Sequence, residues 1–134
     1  MNDKLQVLVV DDDQLMVKTL CDILRLKGHD PIAAHSGEEA VAQVRTGCPD
    51  CVLMDIKMQG MDGVEALKRI RKSVPGLPVV LMSAFVTEER MTEAKGHGVH
   101  ALLTKPVEVP RILAFLDRLK EEIGRGKTGE RLKG

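Results

Sequence analysis

The sequence has no Trp and no Tyr, and its two Phe stand at positions 85 and 115. That shortage excludes recognition built on stacked aromatic rings, including most platforms for single-stranded nucleic acid. Cysteine is scarce as well. Cys21, Cys48 and Cys51 are odd in number and too few for a disulfide-stapled scaffold, so a reducing cytoplasm is the expected setting. No apolar run reaches the roughly 18 residues that a membrane span needs. The opening Met1-Asn2-Asp3-Lys4 carries no signal-peptide pattern, and the apolar stretch at 5–10 runs straight into acids. Net charge is missing too, since 20 Lys and Arg balance 20 Asp and Glu. A protein that held nucleic acid or an anionic membrane by bulk charge would be strongly basic. The balance conceals a division: residues 1–67 hold 12 acids and 6 bases, residues 68–134 hold 8 acids and 14 bases.

What is present suits one globular domain. With 134 residues, 43% of them hydrophobic and 30% charged, the chain is of ordinary globular composition. It can bury about two-thirds of its unfolded surface, enough for an independent core. Short apolar runs alternate with longer amphipathic ones. Residues 5–10 read as a buried strand. Residues 14–27 place Leu15, Met16, Leu20, Ile23, Leu24 and Leu26 on a helical stripe, closed by Gly28. Residues 31–35 form a weaker strand. Ser36 and Glu39 have capping-box spacing, and a helix follows to about Arg45. A turn at 47–50 leads to an all-apolar strand at 51–54 that ends on Asp55.

After a loop at 56–61, Asp62 caps a helix to about Ser73. A turn at 75–78, a strand at 79–82 and a loop at 83–86 come next. Thr87 caps a helix through Lys95, ended by Gly96 or Gly98, and residues 100–104 make a last short strand. Lys105-Pro106 interrupts the chain before a final helix from about Pro110 to Ile123. Residues 124–134, with four Gly, read as a tail or linker stub beyond a domain at 1–123.

Five β-α units with all-apolar strands specify an α/β fold. The sheet is doubly wound, five-stranded and parallel, with helices on both faces and right-handed crossovers. In open sheets of this kind, chemistry gathers outside the carboxyl ends of the strands. Asp11, Asp12 and Asp13 follow the first strand, Asp55 the third, Ser83 the fourth, and Thr104 and Lys105 the fifth. Clustered carboxylates repel one another and call for a cation. Oxygen ligands without Cys or His suit Mg2+. A Lys beside such a site can neutralise a phosphate held there. Any single acid is explained, though less readily, as a helix cap. The whole set is not.

Five blocks carry a family resemblance: Val9-Val10-Asp11-Asp12, the run from Val52 through Asp55 to Met58, Met61-Asp62-Gly63, Leu81-Met82-Ser83-Ala84, and Lys105-Pro106. In order and spacing they resemble the receiver domain of two-component response regulators, over residues 5–123. The resemblance implies the flavodoxin-like strand order 2-1-3-4-5, which sets Asp11 and Asp12 beside Asp55. It implies that Asp55 is the phosphoacceptor, served by a histidine kinase or a histidine phosphotransfer protein. Asp12, Asp55 and the backbone carbonyl of Lys57 would bind Mg2+ directly, with Asp11 acting through water. Lys105 would pair with the phosphoryl oxygens, alongside the Ser83 hydroxyl and the Ala84 amide. Pro106 would follow a cis peptide. The expected outcome is a switch and not a turnover enzyme. Its output surface would comprise the fourth helix, the fifth strand and the fifth helix.

Two departures from the family pattern bear on the switch. The usual aromatic three residues before the Lys is Leu102, so the family's ring-swing coupling is unavailable and a weaker or rewired switch is expected. The usual Pro in the loop after the acceptor is Gln59. Lys57 and Phe85 flank the route of attacking water, and Phe85 is expected to slow loss of the phosphoryl group.

Other signals carry less. Cys48-Pro49-Asp50-Cys51 precedes a strand, where a redox pair needs a helix start, so it reads as a turn plus a core Cys. Gly126-Lys127-Thr128 lacks the first glycine of a phosphate loop. The histidines at 29, 35, 97 and 100 show no ligand spacing and read as solvated or locally bonded. Met54, Met58, Met61 and Met82 read as packing. Core packing explains the last helix's stripe, and the extra width from Leu113 and Phe115 leaves a homodimer or partner surface as the lesser reading. Two other activities use similar parts. A haloacid-dehalogenase-like phosphatase would use Asp11-Asp12-Asp13, with Ser83 and Lys105 in a compatible order, but leaves Asp55 and the Lys105-Pro106 pair unexplained. A flavodoxin-like FMN carrier would place three aspartates against a phosphate. A receiver-like module used for interaction alone is the remaining alternative. No output domain fits in 124–134, so the chain works alone by docking or is a piece of a larger regulator or hybrid kinase.

Overall fold

The computed structural model describes residues 4–126. The apolar runs are strands β1 (Gln6–Val10), β2 (Asp30–Ala34), β3 (Cys51–Asp55), β4 (Val79–Ser83) and β5 (Ala101–Thr104). Between and after them come helices α1 (Gln14–Leu26), α2 (Gly37–Gly47), α3 (Gly63–Ser73), α4 (Glu88–Gly96) and α5 (Val109–Gly126). All strand pairs are parallel, in the order β2-β1-β3-β4-β5. β3 and β4 are buried along their whole length, which is why their sequences show no polar alternation. Pro31 lies on β2, an edge strand, where a residue without an N–H is tolerated.

The sheet separates two cores. Val7 and Val9 of β1 face Val17, Leu20 and Leu24 of α1 and Ile112, Leu116 and Leu119 of α5. Leu8 and Val10 face the opposite way, toward Val41 and Val44 of α2, Leu67 and Ile70 of α3, and Ala94 of α4. The four methionines at 54, 58, 61 and 82 pack within these cores, as expected. So does Phe115, and Leu113 packs against it from the partly buried rim.

Side-chain caps start four of the helices. Asp13 accepts from the Met16 amide at 3.1 Å, Ser36 from Glu39 at 3.1 Å, Asp62 from Glu65 at 2.9 Å and Thr87 from Arg90 at 3.1 Å. Glu39 reaches back to the His35 amide, one residue earlier than a capping box requires. α2 continues past Arg45 to Gly47, and Cys48 then turns left-handed with φ 43°. Pro49 keeps Cys48 out of right-handed helical geometry and so ends α2 there. α5 runs three residues past Ile123, because Ile123 still packs against the core and the helix carries on beyond its last anchor. Residues 127–134 of the expected tail lie outside the described residues.

One expectation is overturned by burial. His29 is 4% exposed, and its Nδ1, like that of the partly buried His35, is buried without a hydrogen-bond partner. The turn that Gly28 makes at φ 88° folds His29 back, with its amide on the Leu24 carbonyl at 3.0 Å.

Candidate functional site

The carboxyl ends of β1 and β3 lie side by side because β1 is the strand from which the chain winds both ways. Asp11 follows β1 and Asp55 ends β3, so register alone brings them together. One carboxylate oxygen from each of Asp11, Asp12 and Asp55 falls within 4.8 Å of the others. Lys105, just past β5, crosses the end of β4 to meet them. Its Nζ lies 2.9 Å from Asp11 Oδ2 and 3.2 Å from Asp55 Oδ1. The Lys105 amide donates to the Ser83 carbonyl at 2.8 Å, which fixes where the side chain departs. The Lys105-Pro106 peptide is cis, as expected.

Each acid has a distinct environment. Asp11 is 2% exposed, and its Oδ1 accepts from the Asp13 amide at 3.0 Å. Asp12 is exposed, and its Oδ2 accepts from the Gln59 amide at 3.1 Å. Asp13 turns away to cap α1, so for this one acid the helix-cap reading holds. Asp55 is 6% exposed. Burial pushes its carboxyl above the usual carboxylate range, and Asp11 adds to the push against the opposing pull of Lys105. Burial pulls the Lys105 ammonium down, but the bonds to Asp11 and Asp55 outweigh it and the net shift is upward.

The donor set is oxygen-only, with two carboxylates buried and one exposed, and the charge repulsion within it is relieved on one side by an ammonium. That chemistry fits a hard divalent cation of the Mg2+ type. Lys57, two residues past Asp55, is on the loop leaving β3 and exposes its side chain. Ala84 is exposed on the loop leaving β4.

Ser83 is buried, and its hydroxyl is already engaged. Its Oγ donates to the Phe85 carbonyl at 2.6 Å and accepts from the Phe85 amide at 3.1 Å. The Phe85 ring is 80% exposed. Leu102 pairs with Leu81 across β4 and β5 and packs, partly buried, against the core beneath α2, α3 and α4.

Two features escaped sequence reasoning. The Gln59 amide on Asp12 is a backbone contact and leaves no side-chain signal. The second is a charge cluster joining α3 to α4. Arg90 pairs with Asp62 and Glu93, and Lys68 pairs with Glu93. Its members stand far apart in sequence and meet through the fold. Cys48 and Cys51 form no disulfide, and Cys48 is exposed while Cys51 is buried, in keeping with a turn and a core residue.

A doubly wound parallel sheet with an acidic pocket and a lysine at its carboxyl edge defines a class: α/β modules whose site lies where the strand order reverses. Comparison with known proteins narrows it. Residues 7–117 match the response regulator receiver domain, and the chain belongs to that family. It is 38% identical over 115 residues to the transcriptional regulatory protein ZraR of Salmonella typhimurium, covering 86% of this chain and 26% of that protein. It is 30% identical to the polar-differentiation response regulator DivK of Brucella ovis, covering 88% of this chain and 95% of that one. The crystal structure of a CheY-like receiver domain from Methanospirillum hungatei superposes with TM-score 0.81 at 26% identity, covering 89% and 98% of the two chains. The chain thus spans about a quarter of the length of ZraR and nearly all of DivK.

Receiver domains are phosphorylation switches in two-component signalling, and the phosphatase and flavin readings fall away. Response regulators are phosphorylated by histidine kinases and are often fused to output domains. Among the described residues, no helix is long and apolar enough to cross a membrane.

Proposed function

We propose that Asp55 is the phosphoacceptor of this receiver. The observation that carries the reading is Lys105, whose ammonium bridges Asp11 and Asp55 beside the three-carboxylate pocket. An Asp55 carboxylate oxygen attacks the phosphorus of a partner's phosphohistidine. The P–N bond breaks, and its electron pair returns to the imidazole. Lys105 trades its hold on Asp55 for the new phosphoryl oxygens, and the Ser83 hydroxyl and Ala84 amide add bonds to them. Catalysis here is positioning and charge neutralisation. Asp11, Asp12, Asp55 and the Lys57 carbonyl are the groups that would hold Mg2+, which when bound supplies positive charge at the phosphoryl oxygens.

The partner is a histidine kinase or histidine phosphotransfer protein, the setting is cytoplasmic, and the output surface is α4, β5 and α5. The chain acts as a switch without substrate turnover. Likeness to part of ZraR and to the whole of DivK supports both a fused and a stand-alone form. A homodimer is compatible with either.

Intact mass spectrometry after incubation with acetyl phosphate and Mg2+ tests the reading. Wild type gains one phosphoryl group and Asp55→Asn gains none. No gain by folded wild type would favour a module used for interaction alone. Followed in time, the same measurement tests Phe85 as a shield of the phosphoryl group: Phe85→Ala then loses it faster, and an unchanged rate removes that role.

A further inference from the structure

α1, α2, α3 and α5 are held to the sheet by several buried apolar side chains each. α4 has one fully buried side chain, Ala94. Its two ends are fastened differently. At the carboxyl end, Arg71 of α3 donates to the His97 and Gly98 carbonyls at 3.0 and 2.7 Å. Toward the amino end, Arg90 pairs with Asp62, the cap of α3, and lies 2.6 Å from Glu93, which pairs in turn with Lys68 of α3. These four side chains are half-buried, 29–33% exposed.

The Arg90–Asp62 pair joins the two loops that flank the acidic pocket. Asp62 closes the loop that leaves Asp55 and lends the Gln59 amide to Asp12. Thr87 and Arg90 follow the loop on which Phe85 holds the Ser83 hydroxyl. A phosphoryl group that captures this hydroxyl takes its one donated hydrogen bond from the Phe85 carbonyl, and so loosens the loop leading into α4. Leu102 is aliphatic and already packed against the core on the α4 side, so no aromatic ring carries the motion onward.

We propose that the cluster of Arg90, Asp62, Glu93 and Lys68 is a latch that holds α4 in its resting position. Phosphorylation acts against this latch through Ser83 and the Phe85 backbone. The proposal rests on the reading of Asp55 as acceptor. Its physical consequences are specific. Partly exposed ion pairs weaken with salt, so the resting state weakens with them. A ligand that prefers the switched state binds more tightly when the resting state loses stability.

Beryllofluoride, a phosphoryl mimic, is titrated with Mg2+ present into wild type, Arg90→Met and Asp62→Asn. Binding is read from NMR amide shifts, because the chain has no Trp or Tyr to report by fluorescence. Asn caps a helix as well as Asp does, so Asp62→Asn removes the charge and keeps the fold. Each single variant binds about two- to fivefold more tightly than wild type at low salt. The double variant gains no more than Arg90→Met alone, since that substitution has already broken the pair that Asp62→Asn removes. The advantage over wild type shrinks at about 0.5 M salt. Single variants that match wild type, bind more weakly, or add fully in the double variant would overturn the latch. Absence of binding by wild type would instead sink the acceptor reading and the latch with it, an outcome read on wild type alone.

Discussion

Asp55 carries its charge where burial and a neighbouring carboxylate oppose it. Its pKa in the fold lies above the ordinary 3.8, so the stabilising form is the protonated one. That contribution is complete below the unfolded value and is lost as pH rises through the folded one. At neutral pH without Mg2+ the ionised Asp55 therefore weakens the fold, and Asp55→Asn is expected to stabilise it. Mg2+ narrows the gap, because it stabilises wild type by binding its native state. Urea denaturation with and without Mg2+ reads both effects; equal midpoints in metal-free buffer would remove Asp55 as a source of instability. At this scale much of the site was legible. Asp11, Asp12, Asp55, Ser83 and Lys105 each stand where an apolar run stops, and a parallel sheet gathers such ends at one edge. Asp13 was not separable from its neighbours, since a cap and a ligand use the same carboxylate. Nor was the engagement of Ser83 by the Phe85 backbone, which depends on the path of a loop.

Gly63 shows how one element positions another. A Cβ there would lie 2.8 Å from the Ile56 Cα, against the backbone that leaves Asp55. The Gly63 amide also donates to the Ile56 carbonyl at 2.7 Å. Closeness of the α3 start to this loop is what keeps the Asp55 end of β3 in place. Gly63→Ala is expected to cost about 2 kcal/mol or more, because backbone on both sides must shift. It is also expected to slow phosphorylation by acetyl phosphate, since Asp55 moves with the loop. Normal stability together with a normal rate would show that the loop has slack. Strands and helices themselves were readable from period, caps and glycines, and their order from the family resemblance. Boundaries slipped where a neighbour intervened: Pro49 forced Cys48 out of α2, and packing of Ile123 carried α5 onward. The α3–α4 charge cluster was beyond reach, because Asp62 and Arg90 are 28 residues apart and only the crossing of two helices joins them.

Across the whole molecule, His29 ties stability to pH. Burial lowers its pKa below the ordinary 6.5; Lys120 of α5 also lowers it, and Asp117 pulls the other way. The stability it contributes is therefore present above about pH 6.5 and is lost as pH falls, because the unfolded chain takes up the proton first. Between pH 7.5 and 5.5 wild type is expected to lose up to about 1 kcal/mol more than His29→Gln. Denaturant titrations at the two pH values decide it, and parallel losses would place the acid sensitivity elsewhere. The sheet has a consequence of its own. It is a wall with a separate core on each side, and Asp55 sits at its carboxyl edge. Substitutions on opposite sides share few neighbours, so their effects should add. Descendants of such a chain can remodel the α1 and α5 side for one acquaintance and the α2, α3 and α4 side for another, each history leaving the other unwritten.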